Sequence, residues 1–402
     1  MVYTYSLRSG KSDGSRRPIL MAVAALVLLT GIAATYWYTE VRGGSAVPNT
    51  RPDQSQQIEL VQADNAVQKR ASQQLRDYLQ WLQDNNVQGY IGEYGWPSGA
   101  DAAQWSAVAQ VWFKQLGSAD VWTTAWAAGS KWGPDYPLTI YTAATGTDGL
   151  SQSGPQAAAL EAFWQSGNRQ SLQGINVAGM EFGNNVSATN RGAAGQDYFY
   201  EPAQSYAFLA QHGVRLVRIP VLWERLQPKL FGPLDVTEMR AVSAALDAAQ
   251  ANGIQAVVDL HNYGAYADDK SQLKLGSSGL SADALSNFWG AMTQQVGTHP
   301  ALAGYSIMNE PHDLWPGSKP ADAAKKWESL TQQIVTSLRA AGFDGTICVP
   351  GYDWSSLARW RGNHPAAWIK DPKNNVRYEA HHYWDTDGSG RYAASFADEL
   401  RE

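Results

Sequence analysis

Cysteine is almost missing from this chain: Cys348 is the only one in 402 residues. No disulfide can form within the chain, and because Cys348 sits in an apolar run it is predicted to be a buried thiol. Strong charge is missing too. A net charge of -6 lacks the basic excess that a nucleic-acid partner requires. The 7 histidines do not fall at metal-ligand spacing, so neither a metal nor another cofactor is indicated.

Between Pro18 and Thr39 charge is absent altogether, over a stretch long enough to cross a bilayer as a helix. Tyr36, Trp37 and Tyr38 suit one interface, and Arg8, Lys11, Arg16 and Arg17 precede the stretch. Residues 1–17 therefore read as a cytoplasmic basic tail and 18–39 as a single-pass anchor in the cell membrane, with everything beyond exported. The alternative is a signal peptide cleaved near Gly31-Ile-Ala33, which would give a secreted protein. The apolar run exceeds the ~7–15 residues usual for a signal sequence, which favours the anchor. Residues 40–65 lack apolar periodicity and carry Gly, Pro and Ser, as a linker does.

Aromatic residues are plentiful, with 17 tryptophans and 19 tyrosines, and their faces suit both a protein core and the apolar faces of sugars. The length beyond the linker suffices for one large domain. Residues 66–86 place Leu75, Tyr78, Leu79 and Leu82 at helical spacing. Gly89–Gly95 follows as a buried-type strand carrying Glu93 between glycines, then a helix over 102–116 and a strand over 121–129. Further strands are expected near Gly174, Val214, Ile254, Ala301, Gly345 and Val376, with helices between them, including 157–164, 236–252 and 321–341. Two early strands and six late ones make eight. In the segment Ser306–Asp313, Pro311 stops a strand directly behind Asn309 and Glu310. An amide and a carboxyl at a strand end, before a helix, suit the C-terminal rim of a (β/α)-barrel.

Five segments in this order, 174–183 (GINVAGMEFG), 214–220 (VRLVRIP), 257–263 (VVDLHNY), Asn309-Glu310-Pro311 and 381–385 (HHYWD), resemble family 5 of the glycoside hydrolases, most closely its endo-β-1,4-glucanases. The resemblance implies an α/β fold, a (β/α)8 TIM barrel over residues 66–402. The strands at Gly89 and Val121 resemble family strands 7 and 8, yet precede strands 1 to 6. That order implies a circularly permuted barrel, with residues 132–168 as the joining segment; a truncated tandem is the alternative.

Cleaving a glycosidic bond takes two carboxyl groups, one to protonate the departing oxygen and one to attack or to activate water. By resemblance Glu310 is the acid/base and Glu93 the nucleophile. Arg218 is placed to hold Glu93 as an anion, Tyr383 to orient it, and Asn309 to donate to a sugar 2-hydroxyl. His261 and His381 match the family's two histidines on the glycone side, whereas His382 should point away by strand alternation. Trp126 is the expected sugar platform; Trp354, Trp384 and Trp96 are lesser candidates for which ordinary packing is the alternative. The implied substrate is a β-1,4-glucan cut with retention. β-Mannan or mixed-linkage glucan hydrolysis, or a non-catalytic carbohydrate-binding barrel, are the alternatives. Beyond polysaccharide and membrane, no protein partner is indicated.

Overall fold

The computed structural model describes residues 65–401 apart from 118, 134 and 167–170. The expected anchor at 18–39 lies outside these residues; among the described residues no helix is long and apolar enough to cross a membrane.

Eight parallel strands close into a ring: β1 (Gln88–Gly95), β2 (Val121–Ala128), β3 (Gln173–Val177), β4 (Leu216–Val221), β5 (Gln255–Leu260), β6 (Leu302–Ser306), β7 (Thr346–Pro350) and β8 (Val376–Tyr383). Each pairs with its sequence neighbours, and β1 pairs with β8, Gly89 opposite Tyr378, which shuts the barrel. Seven longer helices flank the strands: α1 (Ala66–Asn85), α2 (Ala102–Leu116), α3 (Ala157–Ser166), α4 (Ala203–Gln211), α5 (Val236–Ala251), α6 (Ala282–Val296) and α7 (Pro320–Ala340). Among the described residues the expected strands and helices of the barrel are all present, with ends displaced by a few residues.

Two apolar regions hold the ring. The larger lies between helices and strands and takes the outward side chains, such as Ile91, Val217, Val258 and Ala380. The smaller, built from Tyr90, Trp122, Leu216, Val257 and Cys348, draws on five strands and plugs the ring from within. In β4, β5 and β8 the alternation is regular. Above the plug it turns Arg218, Asp259 and Glu379 inward, all fully buried.

Strand β1 breaks that alternation. Tyr90 faces inward and Ile91 outward, so Glu93 would point to the helices if the strand were regular. A β-bulge between Ile91 and Glu93 against β8 inserts one residue, Gly92, and returns Glu93 to the interior. The Gly92 carbonyl accepts hydrogen bonds from Thr124 Oγ1 of β2 (2.6 Å) and Asn176 Nδ2 of β3 (2.9 Å), so the bulge is locked from two other strands. Glycine is required here: a Cβ would lie 2.2 Å from Glu379 Oε1 and 2.9 Å from His381 Nε2.

Helix α1 is capped by Asn65, whose side chain accepts from the Gln68 amide. It buries Leu75, Tyr78, Trp81 and Leu82. The Tyr78 hydroxyl donates to the Tyr378 carbonyl of β8 at 2.5 Å. His382 faces outward into the same layer, as alternation requires. Its Nδ1 accepts from Trp112 Nε1 of α2 (3.1 Å), which leaves Nε2–H to donate to Gln74 Oε1 of α1 (2.8 Å). The bond accepted from Trp112 needs the neutral ring, because protonation would put a second donor at Nδ1. Burial, with Arg70 nearby, pushes the His382 pKa down to about 3. An unfolded histidine takes up its proton near pH ~6.5, so stability from this group is whole above that pH and drains away as pH falls toward about 3. His382→Gln, which keeps an acceptor and a donor but does not titrate, is expected to flatten the fall of melting temperature between pH 6.5 and 4. Parallel Tm profiles for variant and wild type would refute this.

Candidate active site

The inward side chains near the C-terminal ends of the strands converge on one guanidinium. Arg218 Nη1 donates to Glu93 Oε1 (2.9 Å) and Asn176 Oδ1 (3.0 Å), and Nη2 donates to Asn309 Oδ1 (2.8 Å). Nη2 also stands 2.9 Å from Asp259 Oδ1 and 3.2 Å from Glu379 Oε1. Burial opposes charge on Arg218, but Asp259, Glu379 and Glu93 outweigh it and hold its pKa well above the ordinary value. The remaining oxygen of Glu93, Oε2, accepts from the Tyr383 hydroxyl at 2.9 Å. Glu93 is thus held by β4 and β8 together and is buried.

Glu310 follows β6, half-buried, with a positive φ of 38° in a non-glycine residue. Such a backbone costs on the order of 1–3 kcal/mol and persists only where its surroundings hold it. Here Pro311 fixes the next residue and the Glu310 carbonyl accepts from His312 Nδ1 (2.9 Å). Glu310 Oε1 lies 2.8 Å from His381 Nδ1, and the same nitrogen is 3.7 Å from Glu93 Oε2. One polar atom of each of Glu93, Glu310 and His381 lies within 4.8 Å of the other two. That spacing would admit a cation, but the facing atoms of His381 and Glu310 are bonded to each other.

His381 is sandwiched between carboxyl groups. Burial works against its charge, and Glu93, Glu310 and Glu379 more than offset that, raising its pKa to about 10. His261, at the end of β5, has Nδ1 on Asp259 Oδ2 (2.8 Å), while Nε2 meets the Tyr263 hydroxyl (3.1 Å) and Asn309 Nδ2 (3.3 Å). Its pKa is also raised: burial lowers it, and the bond and charge of Asp259 prevail. Trp126 stacks beside His261, centroids 5.4 Å apart at 18°, and its indole donates to the Tyr136 hydroxyl at 2.6 Å. The Trp126–Ala127 peptide is cis.

All eight side chains picked from sequence, Glu93, Trp126, Arg218, His261, Asn309, Glu310, His381 and Tyr383, therefore share one mouth. The lesser tryptophans part ways. Trp96 and Trp384 are buried and stack on each other (5.4 Å, 20°), so packing accounts for both. Trp354 lies on the rim, over His312 with centroids 3.4 Å apart, at the centre of three consecutive left-handed residues, Asp353 to Ser355. Sequence reasoning missed Asn176, Asp259 and Glu379. Period-two spacing would have found the last two, since each stands two residues before a site histidine on the same strand.

Residues 170–401 match the cellulase family, glycosyl hydrolase family 5. The manganese-dependent endoglucanase Eg5A of Phanerodontia chrysosporium is 26% identical over 275 residues, covering 67% of this chain and 65% of its own. Endo-β-1,4-glucanase B of Emericella nidulans is 27% identical over 229 residues, 56% of this chain and 64% of its own. The chain thus spans just under two thirds of the length of these curated relatives. The solved structure of Pseudomonas stutzeri endoglucanase Cel5A is 32% identical, with a TM-score of 0.50 over 57% of this chain and 70% of that one. With more than half of its residues matched to the family and its rim carboxylates, arginine and histidines gathered in one mouth, this chain belongs to the cellulase family, glycosyl hydrolase family 5.

Proposed function

We propose that this protein is a retaining endo-β-1,4-glucanase, with Glu93 as nucleophile and Glu310 as acid/base. The observation that carries the reading is the closeness of the two carboxyls, which have facing oxygens within 4.8 Å. Retaining glycosidases separate theirs by about 5–5.5 Å, whereas inversion needs about 6.5–9.5 Å to admit a water. Glu93 attacks the anomeric carbon as the bond to the leaving oxygen breaks, and Glu310 gives that oxygen a proton. Water then opens the Glu93 ester, returning a proton to Glu310. Arg218 and Tyr383 occupy the two oxygens of Glu93 and aim it, and Trp126 supports a sugar ring through its apolar CH face.

The direct test is an activity panel with the full-length protein on carboxymethylcellulose, mixed-linkage glucan, mannan and xylan. Fastest release of reducing ends from β-1,4-glucan is expected. A higher rate on mannan would change the substrate class, and binding without turnover on every polymer would reject the enzyme. Trp126→Ala is expected to raise KM for glucan by roughly 3- to 10-fold, the equivalent of about 0.5–1.5 kcal/mol for an aromatic contact, with less effect on kcat. An unchanged KM would remove Trp126 from the site.

Circular permutation is part of the same proposal. The family match begins at residue 170, while Glu93 and Trp126 precede it, and β1 and β2 fill the ring between β8 and β3. A rearranged chain that starts at residue 171 and carries 65–166 behind residue 401 is expected to fold and to keep its activity; failure to fold would count against the reading. The uncharged stretch 18–39 supports attachment to the cell membrane with the barrel on the extracytoplasmic side. Fractionation tests this: recovery of a soluble exported protein cut near Ala34 would replace the anchor with a signal peptide.

A further inference from the structure

Glu379 takes no part in the scheme above. It is fully buried and out of reach of any sugar, yet it is an ionisable group beside the acid/base machinery. We propose that Glu379 is a positioning residue: from behind His381 it keeps that ring donating to Glu310, so that the proton of Glu310 rests on Oε2, available to the leaving oxygen. The proposal rests on the retaining glucanase reading.

The geometry is a chain of three groups. His381 Nε2 is 3.3 Å from Glu379 Oε1, and His381 Nδ1 is 2.8 Å from Glu310 Oε1. The His381 backbone amide donates to the Ser355 carbonyl at 2.8 Å, which fixes the strand beneath the ring. The charged groups facing the ring are Glu379 from its own strand, Glu93 from β1 and Glu310 after β6; Arg218 of β4 stands behind Glu379, 3.2 Å from it. Both ring nitrogens point at carboxyl oxygens, and only the imidazolium can donate to both.

The neutral alternatives show what Glu379 prevents. A ring with its proton on Nε2 would turn a lone pair at Nδ1 toward Glu310 and draw the acid's proton away from the substrate. A ring with its proton on Nδ1 would set a lone pair against Glu379. The negative charge of Glu379 disfavours both forms, as the raised pKa of His381 reflects. Gly92 serves the same arrangement, because a Cβ there would collide with both Glu379 Oε1 and His381 Nε2. Gly92 therefore permits both the bulge that turns Glu93 inward and the contact behind His381.

The test compares full-length wild type with Glu379→Gln on two substrates. Cellotetraose has a leaving group that needs a proton; 2,4-dinitrophenyl β-cellobioside has one that does not. In the variant, kcat/KM for cellotetraose is expected to fall roughly 10-fold or more, with the alkaline limb of its pH profile moved about 1 unit toward acid. On the dinitrophenyl substrate kcat/KM should change less than about 3-fold. Equal losses on both substrates with an unmoved pH profile would overturn the positioning role and leave the hydrolase standing. Wild type inactive on both would overturn the hydrolase reading and this inference with it. Should the variant fail to fold, histidine-labelled wild type decides by nitrogen NMR: His381 protonated on both nitrogens from pH 5 to 8 supports the inference, and a neutral ring at pH 7 overturns it.

Discussion

Glu93→Gln is expected to lower turnover of β-1,4-glucan by on the order of 10⁴-fold, the scale on which loss of a nucleophile or its activating partner is felt, while glucan binding persists. The amide keeps the shape of the carboxylate, so its oxygen still accepts from Arg218 and the nitrogen replaces the oxygen that faces Tyr383. Folding is therefore preserved, and what disappears is the atom that forms the ester. Glu93→Ala adds a second readout. It opens space beside the anomeric carbon, and a small anion such as azide or formate should restore part of the rate on an activated aryl cellobioside, with azide giving a product of inverted configuration. Turnover within a few-fold of wild type in Glu93→Gln would assign the nucleophile elsewhere.

The second large effect concerns stability. Arg218→Met leaves Asp259, Glu379 and Glu93 without their shared cation in the interior of the ring. Removing one partner of a buried ion pair costs about 3–5 kcal/mol because the other charge is left uncompensated. At roughly 2 °C per kcal/mol for a domain of this size, the melting temperature at pH 7 should drop by about 5–10 °C, and activity should vanish. The pH dependence separates this cause from simple loss of packing. In the wild type, burial pushes the Asp259 carboxyl up, and Arg218 together with His261 overcomes it to hold the group below its ordinary value. Asp259 thus contributes stability above the ordinary carboxylate range that is lost as pH falls through its lowered pKa. Without the guanidinium the sign reverses: burial dominates, protonation relieves it, and the deficit in Tm should shrink as pH is lowered from 7 to 5. A deficit constant across that range would mean that volume, not charge, is what Arg218 supplies.

The legible parts of this molecule were those in which alternation and chain breakers act locally. Pro311 sets a limit that β6 cannot pass, although the strand already ends at Ser306 and Asn309 and Glu310 lie beyond it, and the helices reveal their buried faces through residues such as Leu75 and Tyr78. Arg218, His261 and His381 lie at odd or even steps along regular strands, so their inward aim can be counted. Glu93 could not be aimed that way. Counting from Tyr90 turns it outward, and only the bulge at Gly92, held by Thr124 and Asn176 from other strands, brings it back. Its placement among the site residues came from family resemblance, not from periodicity. The tryptophans were ambiguous for a related reason: an indole that stacks in the core, such as Trp96 on Trp384, and one that lines the mouth, such as Trp126, follow the same short-range pattern. The carboxylates behind the histidines went unread because neither ends a strand, although their spacing from His261 and His381 places them on the same face.

The central claim is that Glu93 and Glu310 act on one glycosidic bond through a sugar ester on Glu93. Incubating the protein with 2,4-dinitrophenyl 2-deoxy-2-fluoro-β-cellobioside and mapping the product by peptide mass spectrometry tests it most directly. The expected result is one fluorocellobiosyl group on the peptide that contains Glu93, formed as activity is lost. A label on any other residue would contradict it, as would an unlabelled protein that hydrolyses β-1,4-glucan to the inverted anomer.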